Sequence, residues 1–172
     1  TLLFATPLLF TALGGMFTEK AGVTNIGLEG MMTIGAFAGA TVGYYTKSAL
    51  LGFIAGGIAA ALIALIHAIV SITFGADQVV SGIAINFIGP GVALFICSLL
   101  FEGAKQTIPV SDGEGKMIKI FDNLTGIQFI DKILGQYITT YIALGLVVLI
   151  SIYLYKTKFG LRLIAVGEHP KA

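Results

Sequence analysis

Two short polar stretches interrupt an otherwise lipid-soluble chain, and their side chains are the ones that could handle a polar solute. The first is Gly22-Val23-Thr24-Asn25-Ile26-Gly27-Leu28-Glu29-Gly30-Met31-Met32, with an amide at Asn25 and a carboxylate at Glu29. The second is Asp77-Gln78-Val79-Val80-Ser81-Gly82-Ile83-Ala84-Ile85-Asn86. Gln78, Gly82 and Asn86 recur every four residues and share one face of a helix. Asn25, Glu29, Gln78, Ser81 and Asn86 are the candidate lining of a translocation path, where amides and hydroxyls replace the water that a polar solute leaves behind. A carboxylate in a bilayer costs about 2.5–3.5 kcal/mol on insertion scales, so it usually has a partner or a task. Two readings of Glu29 are open. It faces a protein-lined cavity where a helix breaks or begins inside the membrane, or it sits in an interfacial turn, since the helix from Gly22 to Glu29 is only roughly 10 Å long. Asn86, taken alone, reads equally well as polar glue between helices.

Bond-making chemistry has no foothold. No His/Cys/Asp cluster has metal spacing, no nucleophile is paired with a base, and no phosphate loop ends in Gly-Lys-Ser/Thr. The sequence therefore predicts no enzyme, no metal and no cofactor; any ATP site belongs to another subunit. Of 172 residues, 56% are hydrophobic and 11% charged, against roughly 25% charged in soluble domains. Mean hydropathy is +0.96. This is an integral membrane protein, and a net charge of +1 leaves no basic footprint for nucleic acid. Cys97, the single cysteine, sits in an apolar run and reads as a packing residue.

The elements that position these residues are five apolar spans, at about 1–17, 24–45, 49–74, 79–101 and 137–155. The expected fold is all-α, a polytopic transmembrane helix bundle with discontinuous helices, within a single transmembrane domain over 1–172. The first span is short and starts apolar, without a basic leader, so the chain reads as a fragment of a longer protein. Gly35, Gly39 and Gly43, and then Gly52, Gly56, Ala60, Ala64 and Ala68, repeat every four residues, a spacing that lets helix backbones approach closely. His67 in the third span reads as a helix-to-helix hydrogen bonder. Pro90 is expected to kink or interrupt the fourth span. Residues 102–136 form the expected external loop, with a helical spacing at 127–134 that suits the interface and a weak glycosylation pattern at Asn123. Lys156, Lys158, Arg162 and Lys171 place the 156–172 tail on the cytoplasmic side. Counted over the chain, five Lys/Arg fall inside (20, 156, 158, 162, 171) and five outside (47, 105, 116, 119, 132), so the whole-chain charge rule is a tie.

Three stretches in order carry a resemblance. Glu19–Met32 resembles an "ER-AG-xxNIGLEGMM" motif, Asp77–Asn86 an "NQVVSGxAIN" motif, and Thr157–Ala172 a "T-xx-G-xx-LRAVGENPKAA" loop. Together they resemble the inner-membrane permeases of bacterial ABC importers of the ribose and branched-chain amino acid type, and within these the nucleoside permeases. Asp77 stands where Asn is usual, Ile164 where a basic residue is usual, and His169 where Asn is usual. The resemblance implies a multi-pass permease of the bacterial plasma (inner) membrane. It also implies a second permease subunit, an ATP-binding subunit and an extracytoplasmic substrate-binding lipoprotein as partners. It implies a cytoplasmic coupling loop at Gly160, Arg162, Ala165, Gly167, Glu168 and Pro170, touching the ATPase, and a nucleoside or similar small polar solute as cargo. The alternatives are a sugar or branched-chain amino acid permease of the same family, a cation-coupled secondary transporter that uses Glu29, and a membrane scaffold that transports nothing.

Overall fold

A backbone in lipid has no water to bond, so the long apolar runs close their own hydrogen bonds as helices. The computed structural model describes residues 2–108, 119, 131 and 134–169. Its helices are α1 (Leu2–Lys20), α2 (Leu28–Thr46), α3 (Ala49–Ala68), α4 (Gln78–Leu100), α5 (Ile138–Lys156) and α6 (Lys158–Glu168). Among the described residues, three stretches are long and apolar enough to cross a membrane: Ala49–Thr73, Gln78–Leu100 and Ile138–Lys156. The all-α membrane bundle expected from the sequence is what folds. Most of the 102–136 loop, including Asn123 and all of 127–134 but 131 and 134, lies outside the described residues, as does Pro170.

The chain divides into two compact units, one of residues 24–116 and one of residues 1–23 with 117–172. In the first, α2 and α3 pack through the two small-residue stripes. A Cβ built on Gly39 would lie 3.0 Å from the Gly52 carbonyl oxygen, and one on Gly56 2.7 Å from that of Gly35. Backbone thus meets backbone along the seam, as the four-residue spacing predicts. At the far end of α2, Tyr44 and Tyr45 both meet the Phe101 ring, at 5.5 and 6.0 Å between centroids.

Local chemistry sets the helix boundaries. Ser48 caps α3 by accepting from Leu51 N–H, and Asp77 caps α4 by accepting from Val79 and Val80 N–H. Asp caps as well as the Asn usual there. Beyond Ala68 the helix widens into a π-turn, Ile69–Thr73, closed by Phe74 N–H on the Ile69 carbonyl. Four of its five residues (Ile69, Val70, Ile72, Thr73) are β-branched and crowd a regular α turn. Of the kink or interruption expected at Pro90, the interruption does not occur: α4 runs unbroken from Gln78 to Leu100 with Pro90 inside it. A single proline removes one helical hydrogen bond, and the remaining bonds carry the helix across.

In the second unit, α1 and α5 are joined by a buried hydroxyl pair, Thr6 Oγ1 to Thr140 Oγ1 at 2.8 Å, and by Phe17 against Tyr153. Helix α1 extends to Lys20, past the expected boundary at 17, because its end closes later. Gly22 has φ 79, its N–H donates to the Glu19 carbonyl, and Val23 N–H donates to that of Thr18. This is a Schellman closure, with glycine in the left-handed position that only it adopts without strain.

Candidate functional site

The 24–30 segment stays non-helical until Leu28 because its backbone is already committed elsewhere. Asn25 Oδ1 accepts from Gly27 N–H at 3.1 Å, an Asx turn that competes with a helical turn. Its amide nitrogen reaches Met31 Sδ at 3.7 Å. Thr24 N–H donates to Gln78 Oε1 at 2.7 Å. Asn86 grips both sides of the turn: its Nδ2 donates to the Ile26 carbonyl at 2.9 Å, and its Oδ1 accepts from Gly30 N–H at 2.8 Å. The second span expected at 24–45 therefore becomes a helix only from Leu28.

Glycines bring the elements close enough for these bonds. A Cβ on Gly82 would lie 2.9 Å from Gly27 N, and one on Gly89 2.8 Å from the Gly30 carbonyl oxygen. A Cβ on Gly30 would overlap the Ile85 carbonyl oxygen and come within 2.7 Å of its carbon. Gln78, Gly82 and Asn86 thus form one face, as their spacing predicts, and that face is applied to the 24–30 segment. The contribution of Gly30 and Gly89 was not read from the sequence, although the seven-residue step from Gly82 to Gly89 on the same helix signals it.

Ser81 lies on a neighbouring face and pairs with His67, Oγ to Nδ1 at 2.9 Å. His67 is buried, so its expected role as a bond between helices is the observed one. Cys97 is likewise buried, as expected of a packing residue. Glu29 is exposed in the first turn of α2, where the helix N-terminus favours a negative charge. The structure thus brings Asn25, Gln78 and Asn86 together around one turn, sets Ser81 on His67 and leaves Glu29 at the surface.

Of the residues expected in the coupling loop, Gly160, Arg162, Ala165, Gly167 and Glu168 fall on α6. Thr157 caps it by accepting from Gly160 N–H at 3.1 Å while donating to the Tyr153 carbonyl at 2.6 Å. Gly160 is buried with no room for a Cβ against Tyr153 and Leu154 backbone. Gly160, Leu163, Ile164 and Gly167 make the inward face, while Arg162, Ala165 and Glu168 are exposed with Phe159, Leu161 and Val166. Ile164 in place of a basic residue is therefore apolar where the helix turns inward.

The family described as branched-chain amino acid transport system / permease component matches residues 1–172. The guanosine ABC transporter permease protein NupQ of Bacillus subtilis is 43% identical over 100% of this chain and 56% of its own length. The nucleoside ABC transporter permease protein NupC of Lactococcus lactis is 34% identical over 99% of this chain and 55% of its own. The chain spans about half the length of these curated relatives. No solved structure matches it.

Proposed function

Since this chain belongs to the branched-chain amino acid transport system permease family, we propose that it forms part of the membrane path of an ABC importer for nucleosides. The observation that carries the reading is the clamp between α4 and residues 24–30. It joins two separate motif stretches into one structure that a scaffold or simple anchor has no need to build. The likeness over the whole chain to a guanosine and a nucleoside permease supports the choice of solute. Nucleosides are neutral, polar and aromatic, and suit amides and hydroxyls better than a dense field of fixed charge.

Within this reading the five polar residues divide into two roles. Asn25, Gln78, Ser81 and Asn86 hold backbone or side chain of their own unit, so they shape the path. Glu29 and the face of α2 that continues from it through Thr33, Ala36 and Ala40 are the surface offered to solute. The open surface of α2 supports this. Between Leu28 and Tyr44 it exposes no large apolar side chain, whereas α3 and α4 expose Leu50, Ile58, Leu62, Phe87, Phe95 and Leu99 as lipid-facing helices do.

The proposed partners are an ATP-binding subunit seated on the exposed side of α6, a second permease subunit and an extracytoplasmic binding protein. The test is uptake of labelled guanosine by cells expressing the full-length protein with the ATPase encoded beside it. Uptake that requires both proteins, and stops when the ATPase cannot hydrolyse ATP, is the expected result. Uptake indifferent to the ATPase would replace this reading with a cation-coupled carrier.

A further inference from the structure

Helix α6 is fastened at each end by a glycine. At its start, Gly160 lies against the Tyr153–Leu154 backbone at the end of α5. At its finish, Gly167 lies against the end of α1. A Cβ on Gly167 would overlap the Lys20 carbonyl oxygen and come within 2.9 Å of Gly22 N. From the other side, a Cβ on Gly22 would come within 3.0 Å of the Gly167 oxygen and 3.1 Å of its Cα. Two backbones therefore touch with no side chain between them, so neither can shift by an ångström without moving the other. The residue touched is the one that sets the Schellman closure. Ala21, Gly22 and Val23 N–H all bond back into α1 at this point, and the chain then continues directly into the Thr24–Gly27 segment.

We infer that Gly22 and Gly167 form a joint that delivers displacement of α6 to the C-terminal closure of α1, and so to the start of the non-helical segment. The transport consequence rests on the importer reading above. Glycine at 167 is then a positioning residue: it touches neither solute nor nucleotide, and its task is to let α6 seat on the closure. Gly22 carries a second requirement, the left-handed backbone, which is separable from the contact because Asn also adopts that conformation at modest cost.

The experiment uses the full-length protein and three variants. Gly167→Ala inserts a methyl into the joint. Gly22→Asn keeps the left-handed closure and inserts a side chain from the other side. Gly14→Ala, on α1 with nothing within 4 Å of its Cβ, is the control. Hydrogen exchange is followed at Ala21–Val23, with α5 as internal reference. The first two variants are expected to speed exchange at Ala21–Val23 about tenfold with α5 unchanged, and the control to match wild type. In the complex with its ATPase, guanosine taken up per ATP hydrolysed is expected to fall about tenfold in the first two variants, with normal amounts of ATPase co-purifying. The Gly22→Asn/Gly167→Ala double variant is expected to be no worse than either single, since both break one contact. Exchange at Ala21–Val23 that matches wild type would overturn the joint. Faster exchange with an unchanged ratio of uptake to ATP would overturn its part in coupling. Wild-type uptake that ignores ATP hydrolysis would instead overturn the importer reading, and the coupling role with it.

Discussion

Asn86 is suited to its place because a primary amide both donates and accepts. It meets the Ile26 carbonyl and the Gly30 N–H across one turn, and no other uncharged side chain of that length except Asn offers both groups. Asn86→Ala removes both bonds and leaves two backbone groups unpaired, an expected loss of about 2–4 kcal/mol, measured by thermal or denaturant unfolding of the full-length protein in detergent. Asn86→Asp recovers the acceptor for Gly30 but turns a second acceptor toward the Ile26 carbonyl, so it is expected to rescue little. The neighbouring glycines give a matched pair. Gly30→Ala drives a methyl into the Ile85 carbonyl and is expected to cost about 1–3 kcal/mol. Gly91→Ala, on the same bundle with nothing within 4 Å of its Cβ, is expected to stabilise by about 0.5–1 kcal/mol through helix propensity. Equal effects of the two substitutions would mean that the 24–30 segment does not press on α4 as described.

At the scale of elements, legibility followed periodicity. The stripes at 35, 39, 43 and at 52, 56 are visible because small residues at four-residue steps have few reasons to persist except close packing, and these two do face each other. The polar face of Gln78, Gly82 and Asn86 was equally legible, but its target was not: a spacing shows which residues lie together and says nothing of what lies opposite. Asn86 was open between lining a path and bonding helices, and only the geometry shows that both its groups go to backbone. Boundaries were least legible. Glu19 and Lys20 looked like the end of a span and are instead its last turn, because the closing signal is Gly22. The π-turn at Ile69–Thr73 has no sequence mark beyond its β-branched run, and Pro90, expected to kink or interrupt its helix, lies inside a helix that runs without a break. The seam yields its own prediction. Gly56→Leu forces a side chain into the Gly35 backbone and is expected to destabilise by about 1–3 kcal/mol, while Gly57→Leu, one residue on and exposed, is expected to be neutral by the same unfolding measurement.

At the scale of the whole molecule, the question is what drives the solute, and two residues on different surfaces separate the answers. Glu29 is the one carboxylate in the first motif's non-helical-to-helical transition, exposed at the start of α2. Arg162 is exposed on α6, far along the chain. If ATP hydrolysis by a partner drives import, Arg162→Glu places a negative charge on the surface where that partner seats and is expected to lower co-purification of the ATPase and guanosine uptake together, about tenfold. Glu29→Gln is then expected to change the apparent affinity for solute while leaving uptake dependent on ATP, because a neutral amide keeps the shape and one hydrogen-bond acceptor. If a cation gradient drives import, the pattern inverts. Glu29→Gln abolishes accumulation, since the cation loses its counter-charge, and Arg162→Glu has no effect. Measuring both variants in the same cells, with and without an active ATPase, therefore assigns the energy source from the pattern of losses. The two surfaces lie in different compact units, so a local folding defect at one is not expected to reproduce the loss caused by the other.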